Sequence, residues 1–187
     1  MEITVFLLLS QIIKMRCFVS INLSDEAVKE IEKIQACISK FGCKKTEPRN
    51  FHLTLKFLGK ISEEKVEAVK IFLRKIKFKK FILSSKEIGY FDKGDKGIIW
   101  ISLENSDRLQ KEIDDKLKNL FAKEKRFMSH LTIARVKYLK NKKEFIQELK
   151  KIKIPELKFE VSEFCLMKSI LKSIGPEYNI IEKYNLI

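Results

Sequence analysis

Two segments of this chain say nearly the same thing. Phe51-His52-Leu53-Thr54-Leu55 and Ser129-His130-Leu131-Thr132-Ile133 share a His-x-Thr core, and between them they hold both histidines of the protein. Along an extended strand, side chains alternate between faces. His52 and Thr54 therefore point one way while Leu53 and Leu55 point the other, and His130 and Thr132 do the same. Each copy reads as a strand with an apolar back against a core and a polar front offering one imidazole and one hydroxyl. A single His-x-Thr is a frequent accident; the repetition of the surrounding chain makes this one a matter of architecture.

That repetition is visible element by element. Residues 16–23 suit a buried strand, and Ser24 then caps a helix with Asp25 and Glu26 in its first turn. Val28, Ile31, Ile34, Ile38 and Phe41 form the helix's inner face, closed by Gly42. The first motif strand runs over about 51–58 and stops at Gly59; Ser62 caps a second helix; residues 81–90 form another strand. Asp92-Lys93-Gly94-Asp95-Lys96-Gly97 is the strongest turn signal in the chain. After it the order recurs: a strand over 98–103, a helix capped by Ser106, the second motif strand, a helix capped near Asn141, and a strand over about 157–167. The histidines lie 78 positions apart, and the same offset carries Phe81 and Leu83 onto Phe159 and Val161. Strand, helix, motif strand, helix, strand, all twice, is an internal duplication. It predicts an α+β fold of two lobes, about 15–93 and 97–187, with antiparallel sheets side by side and helices on their outer faces. A pseudo-twofold axis then brings the two polar fronts together across a cleft.

At 187 residues the chain suits one domain or two small lobes sharing a core. The net charge of +14 fits a polyanionic partner such as RNA or DNA, or else lysine that simply solvates surface helices. Cys17, Cys37, Cys43 and Cys165 form no C-x-x-C pair, which fits reduced thiols in a cytoplasmic protein. With two histidines in total, a conventional zinc site is not expected. Residues 3–13 are almost wholly apolar but too short to span a bilayer, so residues 1–14 read as an N-terminal extension ahead of a natural start at Met15.

The chemistry open to two His-Thr pairs is proton transfer plus hydrogen bonding. Imidazole titrates near ~6.5, so one ring can act as base while its partner acts as acid. The hydroxyls can donate to non-bridging oxygens of a phosphodiester. Two His-x-Thr-x motifs in a duplicated chain resemble the two-histidine phosphoesterase superfamily, in its RNA 2′,3′-cyclic phosphodiesterase branch, also called 2′-5′ RNA ligase-like or LigT-like. The resemblance runs from Met15 onward, through residues 15–21, 50–59 and 130–135, to the tail 162–169 and Gly175-Pro176-x-Tyr178.

The resemblance implies a bilobal fold with a basic central cleft, and cofactor-free, metal-independent hydrolysis of RNA 2′,3′-cyclic phosphate ends to 2′-phosphate; apart from the resemblance, a cytoplasmic monomer that binds no membrane is expected. By position, His52 and His130 are catalytic and Thr54, Thr132 and Arg135 hold the phosphate. His130 is assigned as base on water and His52 as acid on the 3′ oxygen, the reverse being open. Arg135 sits on the opposite parity from His130, so its role requires a bulge or a strand end. Ser129 stands where the family commonly has proline. Lys56, by parity, either lines the cleft or is a solvated strand-end lysine, and Tyr178, placed in a loop, either stacks on a base or ribose or packs. Trp100 is expected in the core. The substrate is an RNA end or a small cyclic nucleotide, and the alternatives are 2′-5′ RNA ligation and a non-catalytic RNA- or nucleotide-binding module.

Overall fold

The computed structural model describes residues 14–94, 96–139, 141–173 and 175–187. The expected N-terminal extension lies outside them except for Lys14. Among the described residues, nine strands and four α-helices follow in the order β1 (Lys14–Asn22), α1 (Asp25–Cys37), β2 (Lys44–Lys45), β3 (His52–Ser62), α2 (Glu63–Leu73), β4 (Phe81–Lys93), β5 (Lys96–Glu104), α3 (Asp107–Leu117), β6 (His130–Val136), α4 (Lys142–Lys150), β7 (Lys158–Val161), β8 (Glu163–Lys172) and β9 (Gly175–Asn185).

All strand pairs are antiparallel, and the path runs β7-β4-β5-β6-β3-β1-β8-β9, with β2 alongside β6. Two four-stranded sheets thus lie side by side, joined where the motif strands meet at the single pair Leu53↔Leu131. This junction puts His52 and His130, each one residue before a paired leucine, at the seam. Each sheet draws on both halves of the sequence. β4 pairs with β5 of the second half, and β8 pairs with β1 of the first. The turn at 92–97 is therefore a hairpin inside one sheet, and each lobe is completed from the other half of the chain, one by β4 and the other by β8 and β9.

The helices form because their apolar residues recur at three- and four-residue spacing and their first turns are capped. Ser24 accepts from the Ala27 amide at 3.3 Å, Ser62 from Lys65 at 3.4 Å, and Asn141 from Glu144 at 3.2 Å. Ser106 is different: its hydroxyl caps nothing and donates to Ser129 Oγ at 2.7 Å, tying the start of α3 to the approach to β6. The helical segment after α1 tightens into a short 3₁₀ turn over Ser39–Phe41, which ends on Gly42 at φ +61. One core, containing Val19, Leu53, Leu55, Ile99, Ile101, Leu131 and Ile133 from the sheet backs, is covered by Ile31 and Ile34 of α1, Val66 and Val69 of α2, Leu109 and Ile113 of α3, and Phe145 and Leu149 of α4.

Three expectations change in detail. β3 runs past Gly59, which takes φ +75 at a bulge that lets the strand continue to Ser62. The strand expected over 157–167 is two strands, broken at Ser162. Beyond the duplication the chain adds β9, hairpinned onto β8, so Tyr178 sits in a strand, opposite Ser169, and not in a loop.

Candidate active site

Both motif strands carry the same irregularity just beyond their threonine. In β3 the register passes from Ser20↔Thr54 to Val19↔Lys56, skipping Leu55. In β6 it passes from Trp100↔Thr132 to Ile99↔Ala134, skipping Ile133. A bulge of this kind inserts one residue and reverses the face of everything after it. Leu55 and Lys56 are consecutively buried, as are Ile133 and Ala134. The front of β3 therefore reads His52, Thr54, Phe57, and the front of β6 reads His130, Thr132, Arg135. The bulge that Arg135 requires is present.

The same bulge removes Lys56 from the cleft. Its side chain is 3% exposed and forms an ion pair with Asp114 of α3, while donating to the Ala122 carbonyl at 2.9 Å. Asp114 also accepts from Gln110 Nε2 at 2.8 Å and from the Glu124 amide at 2.9 Å. Burial works to raise the Asp114 pKa, and these three donors overcome it, holding the carboxyl below its ordinary value. Parity alone placed Lys56 on the wrong face because one inserted residue inverts it.

The β6 bulge has its own support. Its freed Ile133 carbonyl accepts from the Thr46 amide at 2.9 Å and from Gln35 Nε2 at 2.6 Å, and Gln35 donates as well to the Thr46 carbonyl at 2.9 Å. A buried glutamine of α1 thus ties the β6 bulge to the segment that leads to His52.

The two imidazoles are held in matching ways. His52 Nδ1 donates to the Asn50 carbonyl and His130 Nδ1 to the Met128 carbonyl, each at 2.8 Å. A carbonyl can only accept, so the proton is fixed on Nδ1 in the neutral ring and Nε2 is left as the acceptor, on two rings that line one groove. Around His52 the wall is aromatic: Phe18 and Tyr178 each stand 4.9 Å from its ring, Tyr178 edge-on. Burial pushes the His52 pKa below the ordinary imidazole value; the Asn50 carbonyl opposes this, and the charges of His130 and Arg135 add to it. Phe91 meets the His130 ring edge-on at 5.0 Å and is itself backed by Trp100 at 5.0 Å. Trp100 is a buried buttress, as expected, and it requires Gly89 opposite it, where a Cβ would lie 2.3 Å from the indole.

The groove between the sheets has a volume of about 1020 Å³ and is lined by His52, Thr54, His130, Thr132, Arg135 and Tyr178 among others. Of the sequence-predicted site residues, only Lys56 is absent from it. Among the lining residues that the sequence reading did not single out is Phe57, 69% exposed on the groove wall. The signal was available, because the offset of 78 that carries His52 onto His130 carries Phe57 onto Arg135.

A bilobal α+β fold presenting two His-x-Thr fronts across a basic groove is the architecture of the two-histidine phosphoesterases. The family model described as LigT like Phosphoesterase matches residues 21–100 and 103–178, and the chain belongs to that family. The RNA 2′,3′-cyclic phosphodiesterase of Methanocaldococcus jannaschii is 36% identical over 178 residues, spanning 91% of this chain and 100% of the relative. That of Thermotoga maritima is 34% identical over 176 residues, spanning 89% and 93%. Among solved structures, a Thermus thermophilus protein superposes with a TM-score of 0.76 at 25% identity, covering 91% of this chain and 97% of its own. Escherichia coli LigT complexed with 3′-AMP shares the fold at a TM-score of 0.73 and 20% identity, covering 93% and 99%.

Proposed function

We propose that this protein hydrolyses RNA 2′,3′-cyclic phosphate ends to 2′-phosphate, without a cofactor and as a monomer. The observation that carries this reading is the pair of imidazoles lining one groove, each pinned through Nδ1, which leaves Nε2 as the nitrogen for proton transfer. It accords with the activity named for the relatives that share a third of this sequence. Thr54 and Thr132 donate to the non-bridging oxygens, whose charge rises in the transition state, and Arg135 adds a fixed positive charge. His130 Nε2 takes a proton from water as its oxygen bonds to phosphorus. The bond from phosphorus to O3′ breaks, and His52 Nε2–H gives its proton to that oxygen, leaving a 3′-hydroxyl and a 2′-phosphate.

The asymmetry of the groove supports this division of labour. Phe18 and Tyr178 stand against His52, with Phe57 near Phe18, an apolar wall of three rings suited to a nucleoside, whereas His130, among the described residues, meets the ring of Phe91 alone. A nucleoside on the aromatic side presents its O3′ to His52 and leaves the opposite face of phosphorus open to water near His130. Burial disfavours a proton on His52. A phosphate monoanion beside the ring works in the opposite direction.

The experiment is a pair of variants on two substrates. His52→Ala and His130→Ala should each lower kcat on the cyclic phosphate by about 10²–10⁴, the usual worth of a general acid or base, with the fold retained by circular dichroism. On bis(4-nitrophenyl) phosphate, whose leaving group needs no acid, His52→Ala should keep most of its rate and His130→Ala should not. Near-normal turnover of the cyclic phosphate by either variant would refute the assignment, and the opposite pattern on the activated diester would exchange the two roles.

A further inference from the structure

The two motif strands agree through their threonines and then diverge. Past its bulge, β3 continues the groove wall with Phe57 and Gly59. The residues of the second copy at the same offset of 78 are Arg135 and Lys137, both on the groove. β2 accentuates the difference: where β3 splays away from β6, the two-residue strand Lys44–Lys45 takes its place, with Lys44 paired to Arg135 and Lys45 to Ala134. Paired residues of an antiparallel ladder share a face, so Lys44 and Arg135 stand side by side at the groove, while Lys45, opposite Ala134, leaves the strand on the other face and, being exposed, lines the groove as well. The corresponding stretch of the other half, at 122–123, forms no strand.

The cation excess of the chain is also concentrated here. Lysine and arginine number 39 against 25 acidic residues overall. The groove lining holds nine cations against two carboxylates, Glu47 and Glu177. Both carboxylates are paired with cations of the same lining, Glu47 with Arg49 at 3.8 Å and Glu177 with Lys172. A lysine-rich composition alone would not raise the ratio from three to two to more than four to one.

A cyclic phosphate is a monoanion, and Thr54, Thr132 and Arg135 already serve it. Lys137 lies further along, on the order of 13 Å from Thr132 at ~3.3 Å per residue with one residue lost to the bulge. That is beyond the reacting phosphate and within reach of the phosphates preceding it in a chain. We propose that Lys45 and Lys137, flanked by Lys44, form a rail for the phosphates 5′ of the reacting end, so that the preferred ligand is an oligoribonucleotide and not a free cyclic mononucleotide. The nature of the reacting end rests on the hydrolase reading; the rail does not. Phosphate contacts position a strand without reading its bases, so the rail selects length over sequence.

The test uses a 5′-fluorescein pentaribonucleotide ending in 2′-phosphate, the product end, so that binding is measured whether or not turnover occurs. The wild type should bind it about 10-fold more tightly than a nucleoside 2′-phosphate competitor at low salt, with a salt slope steeper by ~1.4, for two further phosphates at ~0.7 each. In Lys45→Gln/Lys137→Gln the length preference should fall to about 2-fold and the extra slope should vanish, with mononucleotide affinity retained. A wild type indifferent to length, or a double variant that keeps both preference and slope, would overturn the rail. Turnover assays on the cyclic forms run in parallel separate the two claims. Length-dependent binding without any hydrolysis would count against the hydrolase reading alone, and hydrolysis without length dependence against the rail alone.

Discussion

At the scale of single residues, His52 is the group whose environment most shapes the protein's response to pH. Its ring is walled by Phe18 and Tyr178, and burial holds its pKa below that of an imidazole in the unfolded chain. The unfolded state therefore binds the proton more readily, and stability rises with pH across the interval between the two values. The expected outcome is a melting temperature that falls as pH drops below about 6.5, the unfolded value, and a shallower fall in His52→Gln. Asp114, whose carboxyl is held below its ordinary value, contributes in the same direction only in a more acidic window, so the two effects separate. Equal slopes for wild type and variant between neutral pH and that window would contradict the burial argument. The histidines and threonines themselves were legible in the sequence because strand alternation is a local rule. The environment of His52 was not, since Phe18 and Tyr178 reach it from strands 34 and 126 residues away in the chain.

At the scale of elements, the two bulges decide which residues belong to the groove. Each follows its threonine, and each is held by a buried polar group from the helix behind it: Gln35 of α1 at the Ile133 carbonyl, and Asp114 of α3 at Lys56. Lys56 is consequently a core residue. Lys56→Met should destabilise the protein by about 3–5 kcal/mol, the cost of leaving one partner of a buried ion pair uncompensated. The KM for a cyclic phosphate substrate should stay within about 2-fold of wild type, since no charge is removed from the groove. Chemical denaturation and steady-state kinetics on the same preparation check both. A large rise in KM without loss of stability would return Lys56 to the cleft. Helix positions and most caps were readable from spacing and Ser/Asn placement, and the oddity of Arg135 announced a break in β6. The matching break in β3 gave no such warning, because a lysine is equally at home on an exposed front and, with a carboxylate to meet it, in a buried pair.

At the scale of the whole molecule, duplication sets the architecture and departures from symmetry set the chemistry. The repeat predicted two sheets and a shared cleft. It could not show that β4 and β8 cross over, because strand pairing between distant segments leaves no local trace in composition or periodicity. The exchange locks the lobes together through the β3–β6 seam and fixes the two histidine-bearing fronts relative to one another. Where the halves differ, the second motif strand brings the cations Arg135 and Lys137 to the groove at the positions where the first brings Phe57 and Gly59. No helix among the described residues is long and apolar enough to cross a membrane.

The most direct test of the account is to incubate the purified protein with an oligoribonucleotide ending in 2′,3′-cyclic phosphate, with and without EDTA, and to resolve 2′- from 3′-phosphate products. The account predicts the 2′-phosphate alone, at the same rate in both conditions. Formation of the 3′-phosphate, loss of activity in EDTA, or binding with no turnover would contradict it.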